Sequence, residues 1–182
     1  TGDEIGCSFD QGRVTTPPGF KAAYAAFWQG GWPALACATE DGGQGLPTVL
    51  EAILYEMLSA ANHGWTMAPG LLHGAYECIR HHASDALKAS YLEKVATGEW
   101  LATMCLTEPQ AGSDASSLRT IAKRDADGYV IDGVKQFITS GKNGHVAIVI
   151  AVTDKAAGKR GMSAFIVPTD APGYAATRLE DK

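Results

Sequence analysis

The sequence lacks any apolar run near the ~18 residues that a membrane-crossing helix needs, so no membrane span is expected. It also lacks an excess of positive charge: 15 Lys and Arg stand against 20 Asp and Glu, a net charge of −5. A general nucleic-acid surface needs clustered basic side chains to replace phosphate counterions, and this balance argues against one. Cysteine is sparse. Cys7, Cys37, Cys78 and Cys105 form no Cys-x-x-Cys pair, which removes zinc-ribbon and thioredoxin-like readings and predicts reduced thiols in a cytoplasm-like compartment. His81 and His82 are adjacent and face different ways on a helix, so no metal site is expected. The opening Thr1-Gly2-Asp3-Glu4 is acidic and has no apolar segment, so neither a signal peptide nor a transit peptide is expected there. It has no initiator Met, and the expectation is a chain that begins inside a longer protein. No internal repeat or low-complexity tract is present.

What is there is a chain of 182 residues with 46% hydrophobic composition, enough for one large domain or two small ones with a real core. The first half reads as helices. Pro17-Pro18 opens one, carrying Phe20, Tyr24, Phe27 and Trp28 at helical spacing, and Gly30-Gly31 stops it. A Gly-rich loop covers 37–47. Thr48 and Glu51 then read as a capping box. Val49, Leu50, Ile53, Leu54, Met57, Leu58 and Ala61 form the apolar face of the helix that follows, and Gly64 reads as its end. Further helices are predicted around 67–80, with Leu72, Ala75, Tyr76 and Ile79, and from Ser84, with Leu87, Tyr91, Leu92 and Val95. Trp32, Trp65 and Trp100 read as core.

At Gly98 the period changes from helical to alternating. Residues 100–106 read as a strand. Tyr129–Ile131 and Val134–Thr139 read as a hairpin about Asp132-Gly133. His145–Thr153 reads as a buried strand, 155–161 as a basic loop, Met162–Val167 as a strand and Pro172-Gly173 as a turn. Helices first and strands second predict an α+β chain: an N-terminal all-α helical domain over 1–98, then a middle β domain, barrel or sandwich, over 99–182. Five or six strands followed by the polar run Arg178-Leu179-Glu180-Asp181-Lys182 leave that β domain incomplete in expectation.

Residues 104–114, Met-Cys-Leu-Thr-Glu-Pro-Gln-Ala-Gly-Ser-Asp, carry the chemistry. A strand ends at Leu106, Thr107 supplies a hydroxyl, and Pro109 breaks the strand. Ala111-Gly112-Ser113 is small enough for a ligand to approach the backbone N–H groups. On composition alone an ordinary capped turn is the more common outcome. The order of residues, however, resembles the Thr-Glu-Pro-x-Ala-Gly-Ser-Asp loop of acyl-coenzyme A dehydrogenases, with every position matched from Thr107 to Asp114. Lys135-Gln136-Phe137-Ile138-Thr139-Ser140-Gly141 is similar to a second element of that family. The Gly42–Gly45 loop and the Lys88–Leu92 stretch before Gly98-Glu99 fit it too. The resemblance runs from about Trp32 to Lys182. The opening 6–20 and Gly30-Gly31-Trp32 look like the larger branch, with enzymes similar to 3-methylmercaptopropionyl-CoA dehydrogenase.

The resemblance implies a helical domain, a β domain and a C-terminal helical bundle, with FAD between the last two. It implies α,β-dehydrogenation of an acyl-CoA thioester to a trans-2-enoyl-CoA in fatty-acid metabolism. An electron-transfer flavoprotein is the implied electron acceptor, and a homo-oligomer the implied full-length state. The implied compartment is the bacterial cytoplasm in preference to the mitochondrial matrix. Met104, Leu106, Thr107, Gly112, Ser113, Phe137, Ile138 and Thr139 are the implied flavin-binding residues. Among them, Leu106 and Thr107 lie beside the isoalloxazine, Phe137 flanks the ring, and Ile138 and Thr139 meet its O4/N5 edge. Ser113 meets the pyrophosphate and also lies on the acyl-CoA path. The family's base, a glutamate of the bundle, has no match here and is expected beyond Lys182, the bundle being absent from these residues. Glu108 is expected to be structural, bonded to backbone N–H groups. An acyl-CoA oxidase, or another flavoprotein of this fold such as a DNA-associated alkylation-response type, is the alternative.

Overall fold

A computed structural model describes residues 2–11 and 13–177, and the polar run at 178–182 lies outside the described residues. The chain falls into two compact units, Thr1–Leu101 and Ala102–Lys182. In the first, a short helix α1 (Gly2–Ile5) precedes a two-stranded hairpin, β1 (Ser8–Asp10) against β2 (Arg13–Thr15), that periodicity did not predict. Four longer helices follow: α2 (Phe20–Gln29), α3 (Thr48–Thr66), α4 (Leu72–His82) and α5 (Asp85–Thr97). Glycines in the left-handed region, Gly31 after α2 and Gly98 after α5, end helices where a side chain would be strained. Ser84 caps α5, its hydroxyl accepting from Leu87 N at 3.4 Å.

The core of this unit joins Phe27, Trp65, Leu72, Tyr76, Ile79, Leu92 and Val95, all buried. Phe27 and Trp65 meet edge to face at 5.5 Å. A polar knot fastens the Gly-rich loop to α4. The Tyr76 hydroxyl donates to Asp41 at 2.8 Å and accepts from Ala38 N at 2.9 Å, while Arg80 reaches Asp41 at 3.0 Å and Glu40 at 2.8 Å.

Four expectations for this unit are corrected. Thr48 is no capping residue: Pro47 holds the cap position and offers no side-chain acceptor. Glu51, freed from that role, turns inward and is buried 3.1 Å from His73 Nδ1. The predicted apolar face of α3 is not core, since Val49 is 62% exposed and Met57 65%. Nor does Gly64 end α3, because the break falls at Asn62 (φ −163°, ψ 95°) and helical turns continue to Thr66. Trp32 is exposed rather than core.

The second unit is a five-stranded sheet. Its strands are β3 (Ala102–Cys105), β4 (Ile121–Asp125), β5 (Gly128–Asp132), β6 (Val146–Val152) and β7 (Met162–Pro168). The apolar, β-branched β6 is central, as its composition predicts. It pairs parallel with β3 (Ala102↔Val146), antiparallel with β7 (Val149↔Phe165), and touches β4 at Ile121↔Val152. The predicted hairpin is corrected: β5 pairs backward with β4 across the Ala126-Asp127 turn, and Val134–Thr139 forms no strand. Gly133 serves close approach instead, since a Cβ there would lie 2.3 Å from Thr120 Oγ1. The basic loop is a short 3-10 turn over Lys155–Arg160.

Candidate functional site

The edge of the second unit is built where β3 runs out. Within β3, Thr103 and Cys105 are buried while Met104, pointing to the other face, is 38% exposed. The chain then meets the segment 135–139 residue by residue. Lys135 Nζ donates to Leu106 O at 3.1 Å, and Gln136 N donates to Thr107 O at 2.9 Å. Further along, Thr103 Oγ1 donates to Thr139 O at 2.5 Å. Leu106, Thr107, Phe137, Ile138 and Thr139, expected from motif order to share a site, are therefore drawn together by bonds between the two segments.

Glu108 organises the loop beyond. It is buried, and its backbone exchanges two 3.0 Å bonds with Ala111. Its carboxylate accepts from Arg119 N at 2.7 Å, Thr120 N at 3.0 Å, Lys135 Nζ at 2.8 Å and Gln110 Nε2 at 2.6 Å. Burial pushes its carboxyl up, but the Lys135 ammonium and the donated N–H groups outweigh burial and hold it down at about 2. Gly112 and Ser113 follow, both exposed, joined to the rest through the Glu108–Ala111 bridge. Asp114 fixes the exit of the loop: its carboxylate accepts from Ser116 N at 3.1 Å, from the Ser117 hydroxyl at 2.6 Å and from the Ser116 hydroxyl. Those hydroxyls lower its carboxyl below the usual range.

The second segment carries unusual backbone. Phe137 and Ser140 sit in the left-handed region at φ 58° and 59°, which side chains adopt at a cost and which clusters at ligand sites. The turn turns Phe137 outward, 57% exposed, while Ile138 packs on the core of Cys105, Ala147 and Val149. The Tyr174 hydroxyl donates to Gly141 O at 2.8 Å and closes the turn.

The result is an exposed thioether and aromatic ring, Met104 and Phe137, in the same region as the hydroxyl-bearing Thr107, Thr139 and Ser113. Gly112 adds open backbone, since a Cβ there would meet nothing within 4 Å. This donor set fits a flat heteroaromatic group with a polar edge and a phosphate tail, such as a flavin dinucleotide. Sequence reasoning missed Lys135 as the bridge between segments. Its signal was a lone Lys opening the otherwise uncharged stretch Lys135–Gly141.

Comparison with known proteins follows the same lines. The family described as "Acyl-CoA dehydrogenase, N-terminal domain" matches residues 10–99, and "Acyl-CoA dehydrogenase, middle domain" matches 103–182. The chain is 44% identical over 173 residues to 3-methylmercaptopropionyl-CoA dehydrogenase of Ruegeria pomeroyi, covering 92% of this chain and 29% of that protein. It is 36% identical to the mitochondrial isovaleryl-CoA dehydrogenase of Oryza sativa, covering 81% of this chain and 36% of the relative. The chain thus spans about a third of the length of these curated relatives. Among solved structures, butyryl-CoA dehydrogenase from Megasphaera elsdenii superposes with a TM-score of 0.79 at 31% identity, over 84% of this chain and 41% of that one. A glutaryl-coenzyme A dehydrogenase bound to glutaryl-CoA superposes at 0.80 and 29% identity, over 85% and 40%.

Proposed function

The chain belongs to the acyl-CoA dehydrogenase family, and from that premise we propose that its residues serve an FAD-dependent α,β-dehydrogenation of an acyl-CoA thioester to a trans-2-enoyl-CoA. The observation that carries the reading is the stitching of the Thr107–Asp114 loop to the 135–139 segment through backbone carbonyls, which brings the hydroxyl-bearing residues Thr107 and Thr139 beside the outward Phe137. FAD, when bound, supplies the hydride acceptor for the β carbon of the substrate. Thr107 and Thr139 place hydroxyls at the polar edge of the ring, where a donor stabilises charge that develops during transfer. Met104, Leu106 and Phe137 would lie beside the ring, and Ile138, its side chain packed on the core, would turn its backbone to the O4/N5 edge. Gly112 leaves the backbone open, and Ser113 holds the pyrophosphate and borders the acyl-CoA path.

No catalytic base is assigned within residues 1–182. Glu108 has the right type but is engaged by four donors and buried, so it has no lone pair to spare for an α proton. The proposed base is a glutamate of the family's C-terminal bundle. Residues 1–98 are assigned to the helical domain and 99–182 to the middle β domain. An electron-transfer flavoprotein is the proposed electron acceptor, a homo-oligomer the proposed state and the cytoplasm the proposed compartment. The dehydrogenase names of the relatives favour this reading over the oxidase and DNA-associated alternatives.

The test is the visible spectrum of the purified intact protein, followed by anaerobic bleaching with acyl-CoA thioesters of several chain lengths. A protein with no flavin absorbance, or a flavin that no thioester bleaches, refutes the reading. Thr139→Val should slow flavin reduction about tenfold while changing substrate affinity little, because its bond strengthens only as charge develops.

A further inference from the structure

Lys135 is a costly residue for its place. Its side chain is 11% exposed, and an apolar side chain would fill the same space without dehydrating an ammonium. What it does there is hold two points of one strand end. It donates to Leu106 O at 3.1 Å and to Glu108 Oε1 at 2.8 Å, residues that flank Thr107. Gln136 N takes the carbonyl of Thr107 itself, so residues 106, 107 and 108 are all gripped by 135 and 136. The opposite end of the segment is fixed by Thr103 Oγ1 on Thr139 O. Phe137 lies between the two anchors in its left-handed backbone, a conformation that persists only where its surroundings over-determine it.

From this arrangement we infer that Lys135, acting with Glu108, is a positioning residue for the flavin site. It sets the spacing between the Thr107 and Thr139 hydroxyls and holds the Phe137 ring outward. The inference rests on the flavin reading above. Without the ammonium, Leu106 O and the Glu108 carboxylate each lose a donor, and the 135–140 segment is free to relax toward negative φ and carry the ring away.

The experiment compares the intact wild-type protein with Lys135→Met and with the double variant Lys135→Met/Glu108→Gln. FAD affinity is read by titration of flavin fluorescence, and folding by the Tm of the apoprotein. Lys135→Met is expected to weaken FAD binding about 10–100-fold, the scale on which outer-shell partners tune a bound group. The double variant leaves no unpaired buried charge, and its amide oxygen still accepts from Arg119 N or Thr120 N. It is expected to regain much of the lost Tm while FAD affinity stays at least about tenfold weak, because the bridge to Leu106 O is still missing. Unchanged affinity in Lys135→Met, or affinity that recovers in step with Tm in the double variant, overturns the positioning role. A wild-type protein that binds no FAD overturns the flavin reading, and this inference with it.

Discussion

Acid should strip stability from the second unit through one identifiable group. The Glu108 carboxyl lies near 2 in the folded chain, against about 4.5 when unfolded. The folded state therefore binds fewer protons than the unfolded state between those values, so the contribution is complete above about pH 4.5 and is lost as the pH falls toward 2. At roughly 1.4 kcal/mol for each tenfold change in acidity, lowering the carboxyl from about 4.5 to about 2 amounts to about 3 kcal/mol. Glu108→Gln should cost about that much at pH 7, or somewhat more, because it leaves the buried Lys135 ammonium without its counter-charge; breaking such pairs typically costs about 3–5 kcal/mol. The assay is urea unfolding of wild type and variant at steps from pH 7 to pH 2.5, followed by far-UV circular dichroism. Both proteins share every other titrating carboxylate, so the difference between them isolates Glu108. That difference should hold steady down to about pH 5 and then contract with each step. A gap that stays constant to pH 2.5 would refute the reasoning, since the carboxylate would then contribute nothing that protonation removes.

The remaining predictions concern the first unit. The Glu51 carboxylate 3.1 Å from His73 raises the imidazole above its ordinary value, against the lowering effect of burial. The charged His73 and its partners Glu51 and Glu77 therefore stabilise fully below about pH 6.5 and lose that contribution as the pH rises through the folded value, so His73→Gln should lower Tm more at pH 6 than at pH 9. Equal losses at the two pH values would show that the pair is not charged. Two glycines should respond oppositely to alanine. At Gly43 a Cβ would lie 2.1 Å from the Cys37 carbonyl oxygen, a backbone atom with little freedom to move, and Gly43→Ala should cost several kcal/mol. Gly74, inside α4 with open space around it, should gain about 0.5–1 kcal/mol as Ala. Denaturant midpoints measure both, and a stable Gly43→Ala protein would mean that the Gly-rich loop packs differently.

How much of the fold the sequence carried depends on whether the signal was local. Helices α2 and α5 were legible from the glycines at their ends, α4 from its apolar residues at helical spacing, and strands β6 and β7 from their apolar, β-branched runs. The face of α3 was legible as a pattern and misleading as burial. Periodicity marks which residues share a side, and Val49, Ile53 and Met57 share one, but it does not say what covers that side. The β4–β5 hairpin failed for a different reason. The turn was read at Asp132-Gly133, between two β-branched runs, whereas the chain reverses at Ala126-Asp127, between β4 and β5. The true β4 is largely exposed and mostly polar, so alternation gave it no weight.

At the candidate site the order of residues located both segments and predicted a structural Glu108 bonded to backbone N–H groups, which Arg119 and Thr120 supply, but it did not say which groups those would be and gave Lys135 no bond. A glutamate in a ligand loop invites a catalytic reading by type alone. Geometry argues the reverse, because each lone pair that catalysis would need already accepts an N–H. The donors come from residues 2, 11, 12 and 27 positions away, a set that no local pattern can expose. Composition predicts that a buried carboxylate must be satisfied, and only the fold shows which groups satisfy it. That division explains why motif order could name Phe137 and Thr139 as site residues, while Lys135, in the same stretch, showed its part only through its bonds to Leu106 O and Glu108.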